Sequence, residues 1–251
     1  MITFIILNHY IGKDYFFKKS NRGLVVSAGG VGTTFLMDAI GQYKTVNNSS
    51  NLDGYKHLPI PPISFNPKIK VIYVFGDPVL ASISLFRRNY HHAQSKWATK
   101  FQEQTYIIPE NLSLEDYALN HEDGHYFEKH FYNWRHEFLC YPSLFLKYSA
   151  IHESLDDLSL FLELPESFAE NFPEKKPRKS SLEDLDDKIV GGLREKYTKY
   201  KNEVNNLPNY FIVDPRRSIQ SLILDTAYRK SLSHAFYKKF SFIRKLKNKL
   251  S

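Results

Sequence analysis

Cysteine and long hydrophobic runs are both scarce in this chain of 251 residues, in which Cys140 is the single cysteine. One cysteine cannot form a disulfide within the chain, which favours a reducing compartment, and we expect Cys140 to be a small buried residue rather than a nucleophile. The apolar run at residues 1–7 is too short to span a membrane and has neither a basic start nor a small-residue cleavage site. We expect it to form a short edge strand or a docked arm of a cytoplasmic protein.

Signatures of metal and nucleic-acid binding are also lacking. The spacing of the histidines between residues 91 and 136 fits no metal-ligand pattern, and paired cysteines are absent, so we expect no bound metal. Those histidines are His91, His92, His121, His125, His130 and His136. Helix-turn-helix and base-stacking patterns are missing too, so we expect no nucleic-acid partner. The net charge of +7 therefore suits an anionic cofactor and an anionic acceptor.

The most informative segment, residues 24–40, joins an apolar run, a glycine-rich turn and an apolar helical pattern. Val25 and Val26 predict a buried strand, residues 27–32 a turn, and residues 33–40 a helix. Glycines let backbone N–H groups converge on one point, and the helix N-terminus adds partial positive charge, so this layout favours a bound phosphate. Thr33 stands where the ATP and GTP loops have lysine. A tight turn without a ligand is the alternative interpretation.

Two further segments carry polar residues that could belong to the same site as the glycine turn. His57-Leu58-Pro59 follows the glycine turn, and an apolar run at 69–75 leads through Asp77-Pro78 to a helical pattern with Ser84. With Gly32-Thr33-Thr34, these segments make the chain resemble the sulfotransferases that use 3′-phosphoadenosine 5′-phosphosulfate (PAPS). That family has a loop ending in Gly-Thr-Thr, a Lys-Thr-His-Leu-Pro segment, and a strand ending in Arg-Asn/Asp-Pro before a helix with a serine. Residues 144–148 and 155–165 also resemble a later strand and helix, so the likeness spans roughly residues 22–208.

The resemblance implies a P-loop-type α/β fold of three layers, in which helices flank a central parallel sheet, over a single domain at residues 1–228. It implies sulfuryl transfer from PAPS to a hydroxyl on a carbohydrate or other small molecule, with His57 as the general base and Lys56 as a nearby cation. Two successive strand–helix units independently predict a parallel sheet with its ligand at the carboxyl ends of the strands. The expected cofactor-binding residues are Gly29, Gly30, Val31, Gly32, Thr33 and Thr34 for the 5′-phosphosulfate, Ser84 and Arg88 for the 3′-phosphate, and Arg178 as a further cation.

The chain departs from that family where charge is needed. Gly30 stands in place of the loop lysine that stabilises the leaving oxygen, Gly76 replaces the arginine of the 3′-phosphate site, and the C-terminal Arg-Lys-Gly motif is missing. The possible substitutes are Arg22, Lys56, Arg87 or Arg88, and Arg178. A weakened sulfotransferase-like protein, kept for nucleotide binding or scaffolding, is one alternative. A P-loop NTPase or kinase is another, although the missing lysine and the missing strand with a Mg²⁺-binding aspartate count against it.

The remaining segments complete the predicted order of elements. We expect a surface loop at 43–53, a short strand at 54–59, a helix at 79–90, irregular acceptor loops at 91–122, an aromatic core helix at 123–139, and a strand at 143–148. A helix at 153–164 capped by Ser154 and a helix from a capping box at Ser181 to about residue 203 follow. Residues 229–251 predict a basic amphipathic helix that packs on the domain, with peripheral membrane or partner contact as the alternative.

Overall fold

The computed structural model describes residues 23–61, 69–100, 106–136, 141–175 and 182–214. The expectations for the N-terminal run, Arg22, Cys140, Arg178, the capping box at Ser181 and the basic helix at 229–251 therefore lie outside the described residues. Within them, no helix has the length and apolar character needed to cross a bilayer.

The described residues form four strands and eight α-helices. The strands are β1 (Gly23–Val26), β2 (Lys70–Phe75), β3 (Ser143–Lys147) and β4 (Tyr210–Val213). The helices are α1 (Thr33–Gly41), α2 (Pro78–Arg87), α3 (His91–Ala98), α4 (Leu114–Asn120), α5 (Phe127–His136), α6 (Leu155–Leu162), α7 (Ser167–Glu170) and α8 (Asp187–Asn206). Two short 3₁₀ turns, Tyr148–Ala150 and His152–Ser154, connect β3 to α6.

The strands form one sheet in the order β1-β2-β3-β4. The first three are parallel, with Val25 opposite Ile72 and Ile72 opposite Leu144, whereas β4 runs antiparallel to β3. The predicted α/β class is confirmed, because the sheet is mostly parallel and alternates with helices. The antiparallel strand β4 was not predicted, although its run of aromatic and β-branched residues, Tyr210–Val213, is a strand pattern.

An aromatic core covers one face of the sheet. The ring of Tyr73 on β2 lies 5.8 Å from that of Phe131 and 5.9 Å from that of Trp134, both on α5. Phe131 also contacts Tyr200 of α8 at 5.7 Å, so α5 and α8 pack together over this face. The predicted aromatic stripe of α5 is therefore core, as expected from its helical spacing.

A second group of helices, α1, α6 and α7, packs together through apolar and polar contacts. The ring of Tyr43, just after α1, lies 5.6 Å edge-on from Phe168 of α7. Lys44 Nζ donates to the carbonyl of Leu162 at the end of α6 at 2.7 Å. The apolar residues of α1 and α6 belong to the same buried core as the strands, which is compatible with a three-layer arrangement.

Several predicted elements need correction. Residues 54–59 form a turn and not a strand, and the region 91–122 contains α3 and α4 instead of being irregular throughout. Helix α4 begins where the Ser113 hydroxyl accepts from Asp116 N at 3.0 Å, a cap that sequence reasoning overlooked. The last long helix begins at Asp187, later than predicted, because Asp186 caps it by accepting from Lys188 N at 2.8 Å. Ser154 precedes α6 but its side chain makes no capping hydrogen bond.

Candidate functional site

The predicted glycine turn lies directly at the carboxyl end of β1. Gly29, Gly30 and Gly32 have positive φ angles of 101°, 72° and 65°, and Gly32 is the residue from which α1 starts. The turn is braced from inside, because the Ser27 hydroxyl accepts from Gly29 N at 3.1 Å and lies 3.3 Å from the Thr33 hydroxyl. Its conformation requires glycine at the positions where L side chains would be strained.

Helix α2 packs tightly against this turn. A Cβ atom built on Gly30 would lie 2.5 Å from the backbone oxygen of Ala81, and one built on Gly32 would overlap the ring of Tyr148. Gly30, which the sequence resemblance places opposite a lysine, therefore has no room for a side chain in this fold. A cation for a bound anion must come from elsewhere in the chain.

The His57 turn lies against the glycine turn. Ser27 N donates to the carbonyl of Lys56 at 3.0 Å, and His57 Nδ1 donates to the carbonyl of Ser27 at 2.9 Å. Because a carbonyl oxygen can only accept, this contact assigns the proton to Nδ1 and leaves the Nε2 lone pair available. The imidazole is thus held beside the loop in the tautomer that a general base requires.

Helix α5 fixes the turn from behind. Trp134 Nε1 donates to the carbonyl of Leu58 at 2.8 Å, and Asn133 Nδ2 donates to the carbonyl of Pro59 at 2.9 Å. Trp134 is fully buried, so the Leu58 carbonyl has a fixed partner inside the core. These two bonds anchor the residues that follow His57.

Lys56 extends in the other direction, to the start of α1. Its Nζ donates to the Thr34 hydroxyl at 2.5 Å and to the carbonyl of Ser49 at 2.6 Å, and the residue is only 7% exposed. Burial lowers the pKa of Lys56 from its ordinary value, the charge of Arg88 lowers it further, and the Asp38 carboxylate opposes both effects. The hydrogen bonds to Thr34 and Ser49 hold this ammonium group at the N-terminal end of α1. The partial positive charge of the helix N-terminus and the ammonium group would both attract an anion bound there.

A cavity of about 320 Å³ opens beside these residues. Four of the predicted site residues, Thr34, Lys56, His57 and Arg88, line it together. The other lining residues are Ser49, Ser50, Asn51, Leu85, Tyr90, Ala93, Gln94 and Trp97. No aspartate or glutamate from the described part of the chain lines the cavity, so its charged groups are all basic.

The protonation states suit an anionic ligand. Burial lowers the pKa of His57 to about 4, and the Lys56 and Arg88 charges lower it further against the opposing contact with the Ser27 carbonyl. The imidazole is therefore neutral at pH 7, and its lowered pKa makes it a weaker base than the near-neutral titration expected from the sequence. Burial also lowers the pKa of Arg88, as does the charge of Arg87, while Tyr90 raises it. An anion between the two cations would relieve their mutual repulsion.

The predicted residues of the glycine turn, Gly29, Gly30, Val31, Gly32 and Thr33, do not line this cavity, and Gly29 and Val31 instead line a separate void of about 10 Å³. Val31 is buried beneath the turn, and the Thr33 hydroxyl contacts Ser27 as described above. Ser84 is half-buried on α2 and does not line the cavity, although its carbonyl accepts from Arg88 Nε at 3.0 Å. The structure thus groups Arg88 with His57 and Lys56, and separates it from the Ser84 side chain.

Asp77 has a structural role at the end of β2. Its Oδ1 accepts from Val79 N at 2.8 Å and from Leu80 N at 3.3 Å, which caps α2. Its Oδ2 lies 3.0 Å from Lys201 Nζ of α8. Asp77 therefore positions the helix that carries Arg88.

Two pairs of histidines interact, because burial lowers the pKa of His130 and of His125, and the charge of His57 adds to the first effect and that of His91 to the second. His91 Nε2 donates to the Glu110 carbonyl at 3.1 Å, whereas His130 Nδ1 lies 2.8 Å from the Tyr73 hydroxyl. His92 Nδ1 donates to the Ile108 carbonyl and His121 Nδ1 contacts the Tyr106 hydroxyl, whereas both ring nitrogens of His125 are buried without a hydrogen-bond partner among the described residues, and burial lowers its pKa to about 3. No group of three or more potential metal ligands comes together among the described residues.

Sequence reasoning missed Gln94, Trp97 and Tyr90, which complete the cavity wall. Gln94 and Trp97 are three residues apart on α3 and therefore lie on the same face of that helix. Prediction of a helix at 91–98 would have shown that these two residues share a face. That helix was not predicted, because apolar residues do not recur in the segment at helical spacing. The Asn- and Ser-rich loop at 43–53, predicted only as surface, also contributes lining residues.

Comparisons of the chain with models of protein families, with curated proteins and with solved structures give no match.

Proposed function

We propose that this chain is a divergent P-loop-type sulfotransferase, which transfers a sulfuryl group from PAPS to a hydroxyl on a carbohydrate or other small-molecule acceptor. The observation that carries the proposal is the convergence of Thr34, Lys56, His57 and Arg88 on one cavity beside the glycine turn. Thr34 and His57 belong to segments that match the family resemblance, whereas Lys56 and Arg88 are the cations that the sequence offers as substitutes for the missing ones.

The general base is His57. Its Nδ1–H bond to the Ser27 carbonyl orients the ring, and the unprotonated Nε2 receives the proton of the acceptor hydroxyl. As that proton moves, the acceptor oxygen forms a bond to sulfur, and the bond between sulfur and the bridging oxygen breaks with its electron pair on the phosphate. The product nucleotide is 3′-phosphoadenosine 5′-phosphate (PAP).

Lys56 takes the place of the loop lysine. Its ammonium group already lies at the first turn of α1, close to the amides that would bind the 5′-phosphosulfate. Charge that develops on the phosphate as sulfate leaves is stabilised by a positioned cation in a site that excludes most water. Arg88 supplies a second positive charge at the opposite wall of the cavity.

The remaining wall suits a nucleoside or a sugar ring. Trp97 and Tyr90 belong to the cavity wall, and each ring has a cation over it, since Lys100 Nζ lies 4.6 Å from the Trp97 centroid and Arg88 Cζ lies 5.4 Å from the Tyr90 centroid. A ligand ring would therefore stack on the opposite face of either side chain. Aromatic faces of this kind stack against planar bases and against the C–H faces of sugars.

The decisive experiment incubates the protein with PAPS carrying labelled sulfate and a panel of hydroxyl acceptors. We expect transfer by the wild-type protein and its loss in His57→Ala, while PAP still binds that variant. Lys188→Ala, an exposed change on α8 remote from the cavity lining, is the matched control. Transfer that survives in His57→Ala would contradict the assignment of the base.

The second candidate is a nucleotide-binding or scaffolding protein with weakened catalysis. Lys56 favours it, because its ammonium group is already engaged by Thr34 and Ser49 and must leave one of them to follow the departing oxygen. PAP binding by the wild-type protein without transfer to any acceptor would select this candidate over the enzyme.

A further inference from the structure

Gln94 carries a polar group that the fold does not satisfy. The residue is only 4% exposed, and its side-chain nitrogen Nε2 is buried without a hydrogen-bond partner among the described residues. A buried unpaired N–H group is costly, and native proteins rarely keep one without a reason. The side chain belongs to the wall of the same cavity that Lys56, His57 and Arg88 line.

The glycine turn holds this amide in place. A Cβ atom on Gly29 would lie 2.7 Å from Gln94 Cδ and 2.9 Å from Oε1, so the carboxamide packs directly against the turn. Its backbone is fixed as well, since Gln94 N donates to the Tyr90 carbonyl at 2.8 Å in the first turn of α3. The carboxamide therefore has a fixed position against the turn before any ligand binds.

We propose that Gln94 Nε2 donates a hydrogen bond to an oxygen of the sulfuryl group while that group lies between the glycine turn and His57. This assignment rests on the proposed function, and it names a residue that the family resemblance does not select. The chemistry supports an oxyanion oxygen as the missing partner, because the cations of the same cavity, Lys56 and Arg88, attract one. A hydrogen bond to a charged oxygen is stronger than one between two neutral groups.

The test compares PAPS with PAP, which lacks the sulfuryl group, in binding titrations of the wild-type protein and Gln94→Met. Methionine keeps the size of the side chain and removes the donor. We expect the affinity for PAPS to fall about 10–100-fold, the range of a hydrogen bond to a charged group, while the affinity for PAP changes less than about threefold. Gln94→Glu, which adds a negative charge, should weaken PAPS binding at least as much.

Stability separates a binding role from a structural one. Removal of an unsatisfied buried amide should leave the melting temperature of Gln94→Met equal to or above that of the wild-type protein. Lys96→Met, on the exposed side of the same helix, is the matched control and should change neither affinity. Equal loss of PAPS and PAP affinity, no loss of either, or a clear fall in melting temperature would overturn the assignment of Gln94. If the wild-type protein binds neither nucleotide, the proposed function itself is wrong.

Discussion

Substitution of Gly30 by alanine tests why the glycine turn contains no lysine. The φ angle of 72° at Gly30 lies in the left-handed region, which costs an L residue about 1–2 kcal/mol. The new methyl group would also lie 2.5 Å from the Ala81 oxygen, and such overpacking costs about 1–3 kcal/mol. Because alanine also restricts the unfolded chain, which returns up to about 1 kcal/mol, we expect Gly30→Ala to lower the free energy of unfolding by about 1–5 kcal/mol.

The matched control is Gly41→Ala at the end of α1. No heavy atom lies within 4 Å of a Cβ at Gly41, so we expect this change to be neutral or stabilising by up to about 1 kcal/mol. Both variants are measured by urea unfolding followed by far-UV circular dichroism. A difference below about 0.5 kcal/mol between them would refute the tight approach of α2 to the turn. Gly30→Lys should be destabilised in the same way, and should not raise sulfate transfer.

Three further predictions concern the supports of the site. Trp134→Phe leaves the Leu58 carbonyl without its buried partner and should lower the free energy of unfolding by about 1–3 kcal/mol in urea unfolding; an unchanged midpoint would contradict the anchoring role of α5. Asp77→Ala removes the cap of α2 and the ion pair with Lys201, and should lower the free energy of unfolding by about 1–2 kcal/mol in the same assay. Most of this loss should remain in high salt, because the cap contributes more than the salt-sensitive ion pair. The folded pKa of His57, about 4, lies below its ordinary value of 6.5, so its contribution to stability is complete above about pH 6.5 and is lost as the pH falls toward 4. His57→Gln should therefore show a shallower loss of stability over this range in pH-dependent thermal melts, and equal slopes would contradict the burial of the imidazole.

Much of the sheet could be predicted from the sequence because its strands are buried on both faces. The runs at β1, β2 and β3 are continuous and apolar, which is the pattern of parallel strands covered by helices. The glycine turn was equally clear, since its positive φ angles leave few alternatives to glycine. Strand β4 has a comparable apolar run and was overlooked, and what the sequence does not show is its antiparallel pairing with β3 at the edge of the sheet.

The candidate site was predictable only in part. The sequence predicted His57 beside the glycine turn by assuming a strand at 54–59, but the structure brings it there through a turn that is hydrogen-bonded to Ser27. The reach of Lys56 to Thr34 depends on the same turn. Gln94 and Trp97 were hidden because α3 has little apolar periodicity, so packing rather than local pattern determines that helix. The exclusion of a side chain at Gly30 is likewise a tertiary effect of α2.

The central claim is that the cavity beside the glycine turn binds a nucleotide with phosphates at both the 3′ and 5′ positions. Isothermal titration of PAP into the wild-type protein and into Arg88→Gln, with ATP as the comparison ligand, tests it most directly. We expect the wild-type protein to bind PAP and not ATP, and Arg88→Gln to bind PAP about tenfold more weakly, the range of one lost charged contact. Absence of PAP binding by the folded wild-type protein, or equal binding of ATP, would contradict the claim.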